Sequence, residues 1–102
     1  LETAVSMARV ATSAGATSIV CSPLEIEALR AVIPHTVEII TPGVRPSDES
    51  GGDDQIRTMT PAQAMKAGAN FLVVGRPITS RWSEGKAAMA ARAAQLVASI
   101  HE

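Results

Sequence analysis

A chain of 102 residues can build one small domain with a modest core, but not a complete eight-stranded α/β barrel, which takes about 250 residues. A formal net charge of −1, no Lys/Arg run, one Phe, one Trp and no Tyr argue against nucleic acid or an anionic membrane surface as a partner. The one cysteine, Cys21, rules out an intrachain disulfide and fits a cytoplasmic location, and no apolar run approaches the roughly 18 residues of a membrane span.

Residues 2–14 read as a helix. Ala4, Ala8 and Ala11 with Val5 make a small-residue face at helical spacing, and Gly15 follows in the C′ position. Ser18 to Ser22 is a short apolar run without polar alternation, the pattern of a strand buried on both faces. Ser22-Pro23-Leu24-Glu25 is a helix start: Ser22 as cap, Pro23 at N1, Glu25 closing a capping box. That helix is expected to run to about Val32 and to stop before Pro34. Val37 to Thr41 is the second strand, and Pro42 to Met59 is a long polar loop. Thr60-Pro61-Ala62-Gln63 repeats the cap chemistry for a short helix that closes at Gly68. Phe71 to Gly75 is a third buried strand. A last helix runs from about Glu84 to Ile100, with Ala90, Ala93, Val97 and Ile100 on one face.

The order α-β-α-β-α-β-α implies parallel βαβ units. The run Ala14 to Ser22 echoes the run Ala67 to Gly75, in the closing glycine, the turn and the strand. An open flavodoxin-like sheet and part of a barrel both fit this order. Three parallel strands cannot close a barrel and would leave raw edges, so the chain is expected to need further strands or a partner. Its start at Leu1, already within a helical pattern and with no signal peptide, is the expectation for a piece of a longer protein.

Ligands of parallel α/β folds bind beyond the carboxyl ends of the strands. Gly75 ends a strand and would let a ligand approach the backbone, and its amides and the Arg76 guanidinium suit an anion such as phosphate. A Gly-Arg pair alone fits a surface arginine after an ordinary turn equally well. The neighbouring strand, however, also ends in a glycine, in Thr41-Pro42-Gly43, and barrels often hold phosphate after their last two strands. The loop from Pro42 to Met59 carries Arg45, Asp48, Glu49, Asp53, Asp54 and Arg57 around Gly51-Gly52, which suits a closing lid or a solvated excursion. Asp53 and Asp54 lack a nearby third ligand, so no metal site is expected. Ser22 is a cap, with its hydroxyl or backbone as a candidate ligand contact. Cys21 is expected in the core, His35 and His101 in plain surroundings, and Trp82 over the barrel rim.

Ile40-Thr41-Pro42-Gly43-Val44-Arg45-Pro46, followed by Gly52-Asp53-Asp54-Gln55 and Met59-Thr60-Pro61, resembles the seventh strand and phosphate loop of the bacterial orotidine 5′-monophosphate decarboxylase family. Leu72-Val73-Val74-Gly75-Arg76-Pro77-Ile78-Thr79 resembles its eighth strand and phosphate-gripping turn, and Val20-Cys21-Ser22 the end of its sixth. The resemblance implies that residues 1–102 are the C-terminal part, about strands six to eight with their helices, of a single (β/α)8 TIM-barrel domain. It implies that Arg76 and the Gly75-Arg76 amides hold the nucleotide 5′-phosphate and that Gln55 reaches over the nucleotide. Ser22 meets the pyrimidine edge, Pro42 and Gly43 shape the wall, and Arg45 completes the substrate-binding set. The implied reaction converts orotidine 5′-monophosphate to uridine 5′-monophosphate and carbon dioxide in pyrimidine biosynthesis, without metal or organic cofactor, in a cytoplasmic homodimer.

The family's catalytic Asp-x-Lys-x-x-Asp array has no match here. The lysines, Lys66 and Lys86, both lie in helices. No catalytic residue is therefore expected in this chain, which alone should bind phosphate and not decarboxylate. Two rivals are another phosphate-binding barrel lyase or synthase and a non-catalytic half-barrel fragment.

Overall fold

A computed structural model of the chain describes residues 2–46 and 59–101. Helix α1 (Glu2–Ser13) turns its alanine stripe inward, with Ala8 buried. It ends as its composition dictates. Gly15 takes φ +103°, its amide donates to Thr12 O (3.1 Å), and the Ala16 amide reaches back to Ala11 O (2.9 Å). This is a Schellman closure, in which a left-handed glycine lets the chain satisfy the last carbonyls.

Three strands follow: β1 (Ser18–Val20), β2 (Glu38–Thr41) and β3 (Phe71–Leu72). They form one sheet in the order β1-β2-β3, with both pairs parallel. Single ladder bonds carry the pairing past the strand ends, from Cys21 N to Ile40 O (3.1 Å) and from Val73 N to Thr41 O (2.9 Å). Between β1 and β2 the chain makes a 3-10 turn (Pro23–Glu25) and helix α2 (Ile26–Arg30). Between β2 and β3 lies α3 (Pro61–Ala67), whose start is a full capping box. Thr60 N donates to Gln63 Oε1 (2.9 Å) and Gln63 N to Thr60 Oγ1 (3.2 Å). Its end repeats that of α1: Gly68 has φ +124° and the Ala69 amide reaches Ala64 O (3.1 Å). The echo seen in the sequence is thus one closure built twice. After β3 come a short helix α4 (Arg76–Thr79), which the sequence did not announce, a 3-10 turn (Trp82–Glu84) and α5 (Lys86–Ser99).

The core lies between the sheet and its helices. Ile26, Leu29, Ile39 and Thr41 are fully buried, with Ile33, Val37, Val44 and Ala64 around them. The strands were expected to be buried on both faces, and they are not. Residues alternate between covered and bare, and Val20 (67% exposed), Phe71 (54%) and Val73 (53%) lie open. The register sets Val20 beside Ile40 and Ile40 beside Phe71, so one apolar row crosses the uncovered face. A parallel strand is buried twice only where a layer packs on each side, and the described helices supply one layer.

The last helix also departs from expectation. It buries Arg92 and Leu96, while Val97 is 59% exposed. Ala93, Val97 and Ile100 instead border an apolar groove of about 400 Å³ beside β3, with Phe71, Leu72 and Val74 on its other wall. Trp82 stands 66% exposed.

At the N-terminal end of the sheet one side chain closes the structure. Arg30 donates from Nη1 to Val37 O (2.8 Å), from Nη2 to Gly68 O (2.9 Å) and to Asn70 Oδ1 (2.7 Å), and more loosely to Pro34 O (3.3 Å). The same Asn70 oxygen accepts from Ile39 N (2.8 Å). A planar guanidinium with five donors suits this cluster of turn carbonyls. Glycine is required at position 68, because a Cβ there would lie 3.2 Å from Arg30 Cγ and the backbone has positive φ.

Candidate functional site

The opposite, C-terminal end of the sheet is open. The segments leaving β2 and β3 diverge around a cleft of about 230 Å³ lined by Pro42, Gly43, Val44, Arg45, Val73, Gly75, Arg76 and Pro77. The larger groove beside α5 is nearly all apolar and gathers no set of polar groups, so the smaller cleft is the candidate site. Gly43 stands at φ +78°, a conformation that lets the chain turn across the top of β2. Val44 and Pro46 bury themselves behind it, and the Arg45 amide donates to Met59 O (2.9 Å), which ties the two stems of the intervening segment together.

Gly75 is different. A Cβ there would meet nothing within 4 Å, so packing within this chain does not demand glycine. Its carbonyl accepts from Ile78 N and Thr79 N (both 3.0 Å) and from Thr79 Oγ1 (3.2 Å), which starts α4. Among the described residues, the Gly75 and Arg76 amides donate no hydrogen bond and Arg76, exposed, makes no ion pair. A strand end with bare amides beside a permanent cation can receive an anion.

The Ser22-Pro23 turn at the end of β1 stands next to Gly43, whose Cβ position lies 3.9 Å from Pro23 Cδ. Ser22 was expected to open a capping box closed by Glu25, and the box is there, with the Ser22 side chain facing the Glu25 amide. The Ser22 amide donates to Glu25 Oε1 (3.0 Å) and its carbonyl accepts from Glu25 N (3.0 Å). The Ser22 side chain is exposed.

Five residues singled out from the sequence therefore meet in one cleft: Pro42, Gly43, Arg45, Gly75 and Arg76. Ser22 stands beside it without lining it. Gln55, with Asp53, Asp54 and Gly51-Gly52, lies outside the described residues. Lys66 and Lys86 are exposed on helices and line no part of the cleft, and His35 and His101 are exposed elsewhere. Cys21 is buried, as expected. Burial pushes its thiol up, the Glu25 charge pushes it further, and Arg30 pulls the other way. Thr41 and Arg30 were missed as organisers. Thr41 reaches Cys21 and Arg30 reaches Gly68 and Asn70, contacts between residues far apart in sequence that no local pattern reports.

Residues 1–91 match the family described as "Orotidine 5'-phosphate decarboxylase / HUMPS family". The chain belongs to this family. It is 57% identical over 74 residues to the orotidine 5′-phosphate decarboxylase of Opitutus terrae, covering 72% of this chain and 32% of that protein. With the enzyme of the same name from Trichlorobacter lovleyi it shares 50% over 96 residues, covering 94% of this chain and 37% of the other. In three dimensions it resembles the crystal structure of orotidine 5′-phosphate decarboxylase from Lactobacillus acidophilus. The TM-score is 0.66 at 36% identity, over 90% of this chain and 35% of that one. The chain thus spans about a third of the length of the relatives it matches.

Proposed function

We propose that this chain is the C-terminal part of a (β/α)8 barrel whose whole protein converts orotidine 5′-monophosphate to uridine 5′-monophosphate and carbon dioxide, and that its cleft holds the 5′-phosphate. The observation that carries the reading is the convergence of Pro42-Gly43-Val44-Arg45 and Gly75-Arg76-Pro77 on one cleft, with the Arg76 side chain and two amides uncommitted among the described residues. These are the loops after two adjacent parallel strands, where barrels commonly grip phosphate.

Arg76 and the Gly75 and Arg76 amides hold the phosphate. Pro42 and Gly43 form the wall toward the base, Arg45 stands at the cleft edge, and the Ser22 hydroxyl meets the pyrimidine. Gln55 completes the contacts from the segment between Pro46 and Met59. Such contacts are remote from the reacting carbon and supply binding energy that favours the transition state. Proton delivery to that carbon is assigned to groups outside this chain, because the Asp-x-Lys-x-x-Asp array has no match in its sequence. The apolar row Val20-Ile40-Phe71 on the uncovered face and the edges of β1 and β3, unpaired among the described residues, support a barrel completed by further strands. The whole protein is read as a cytoplasmic homodimer acting on a nucleotide.

The test is a single polypeptide that joins the N-terminal portion of the Opitutus terrae enzyme to this chain, assayed for loss of orotidine 5′-monophosphate by pyrimidine absorbance. Turnover is expected, and Arg76→Ala should lower kcat/KM by about tenfold to a hundredfold, the range for charge-assisted bonds. A folded hybrid without turnover, or one indifferent to Arg76→Ala, would contradict the reading. The 102-residue chain alone is expected to give none.

A further inference from the structure

The Cys21–Ser22 peptide group is held at both of its polar atoms by side chains. Its carbonyl oxygen accepts from Thr41 Oγ1 at 2.6 Å, and its N–H donates to Glu25 Oε1 at 3.0 Å. Thr41 is fully buried at the end of β2, and its hydroxyl has a single proton to give. Pro42 O, at 3.4 Å from the same hydroxyl, is the weaker acceptor. Glu25 lies one turn after Ser22 and binds its amide from the other side. A peptide plane gripped at both ends cannot rotate, and the direction in which the Ser22 side chain leaves the backbone is fixed with it. Neither contact is needed to form the sheet, since the Cys21 N to Ile40 O bond already continues the ladder there. In the capping box the Ser22 oxygen faces the Glu25 amide as an acceptor, so the hydroxyl keeps its proton to donate.

We propose that Thr41 and Glu25 are positioning residues: together they aim the Ser22 hydroxyl at the bound base and so set the preference for a nucleotide over a bare sugar phosphate. The inference rests on the reading that the cleft takes the phosphate and Ser22 the pyrimidine. Thr41 gains a second task from its place in the chain. It precedes Pro42 and Gly43, so one buried hydroxyl fixes the serine turn against the loop that walls the cleft.

The test measures binding of uridine 5′-monophosphate and of ribose 5-phosphate to the chain, by calorimetry or by amide shifts. In Thr41→Val and Glu25→Ala, affinity for the nucleotide should fall about tenfold, roughly 1.4 kcal/mol, while ribose 5-phosphate affinity stays within twofold. Thr41→Ser and Glu25→Gln, which keep a donor and an acceptor, should restore the nucleotide to within threefold. Unchanged sugar-phosphate binding shows that the variants are folded. Nucleotide binding unaffected in both variants, or both ligands weakening together, would overturn the proposal. A wild-type chain that binds both ligands equally would instead bring down the parent reading, and this one with it. Hydrogen exchange in the free chain gives a check without ligand: the Ser22 amide should be protected in the wild type and lose protection in Glu25→Ala. An unprotected wild-type amide would also overturn the proposal.

Discussion

Two arginines stand at opposite ends of the same small sheet, and they do opposite things. Arg30, below the strands, gives its donors to Val37 O, Gly68 O and Asn70 Oδ1 and is used up by the fold. Arg76, above them, is exposed beside two amides that donate to nothing among the described residues. The glycines divide in the same way. Gly68 is forced by its backbone and by Arg30 against it, whereas nothing among the described residues crowds Gly75. On the proposed reading, stability and binding are separated along the strand axis. At the lower end Arg30 and Asn70 bind the turn backbone; at the upper end the Gly75 and Arg76 amides donate to nothing among the described residues.

The largest expected effect comes from breaking the lower end. Arg30→Met strands several turn carbonyls and should cost about 2–3 kcal/mol in urea unfolding, while phosphate affinity of the folded protein stays within twofold. Next, Arg76→Ala should do the reverse: a loss of about 2 kcal/mol, or thirtyfold, in phosphate affinity, with stability moved by less than about 0.5 kcal/mol. The paired glycines sharpen the contrast. Gly68→Ala, at φ +124° and with Arg30 Cγ 3.2 Å from the new methyl, should destabilise by about 1–2 kcal/mol. Gly75→Ala should leave the melting temperature within about 2 °C and weaken phosphate binding, because its methyl enters the cleft. The smallest effect concerns Cys21. Its pKa is raised by burial first and Glu25 second, so the fold favours the neutral thiol. That contribution is full below the ordinary thiol pKa and is lost as pH rises from there toward the raised value. Stability should therefore sag slightly above about pH 8.5, and alkylation of Cys21 should track unfolding. Rapid labelling of the native chain would refute its burial.

Much of this was legible in the sequence because the signals are local. The glycine closures at Gly15 and Gly68, the Thr60-Gln63 box and the three apolar runs each declare themselves within a few residues. The cleft was legible because glycine at two adjacent strand ends, one followed by Arg76, is a local signal with a topological consequence. Burial was misread where it depends on a layer beyond the described residues: Val20, Phe71, Val73 and Val97 carry an apolar pattern whose cover is not in the chain's own helices. Arg30 was missed because its acceptors lie 38 and 40 residues away at Gly68 and Asn70. Ser22 and Thr60 look alike in sequence, and each opens a capping box, closed by Glu25 and by Gln63.

The most direct measurement is a phosphate titration of the ¹⁵N-labelled chain. The Gly75 and Arg76 amides should shift together and saturably, while Gly68 and Asn70, at the clamped end, stay still. Shifts at Gly68 and Asn70 of equal size, or none at Gly75 and Arg76, would contradict the division of the sheet into a structural end and a binding end.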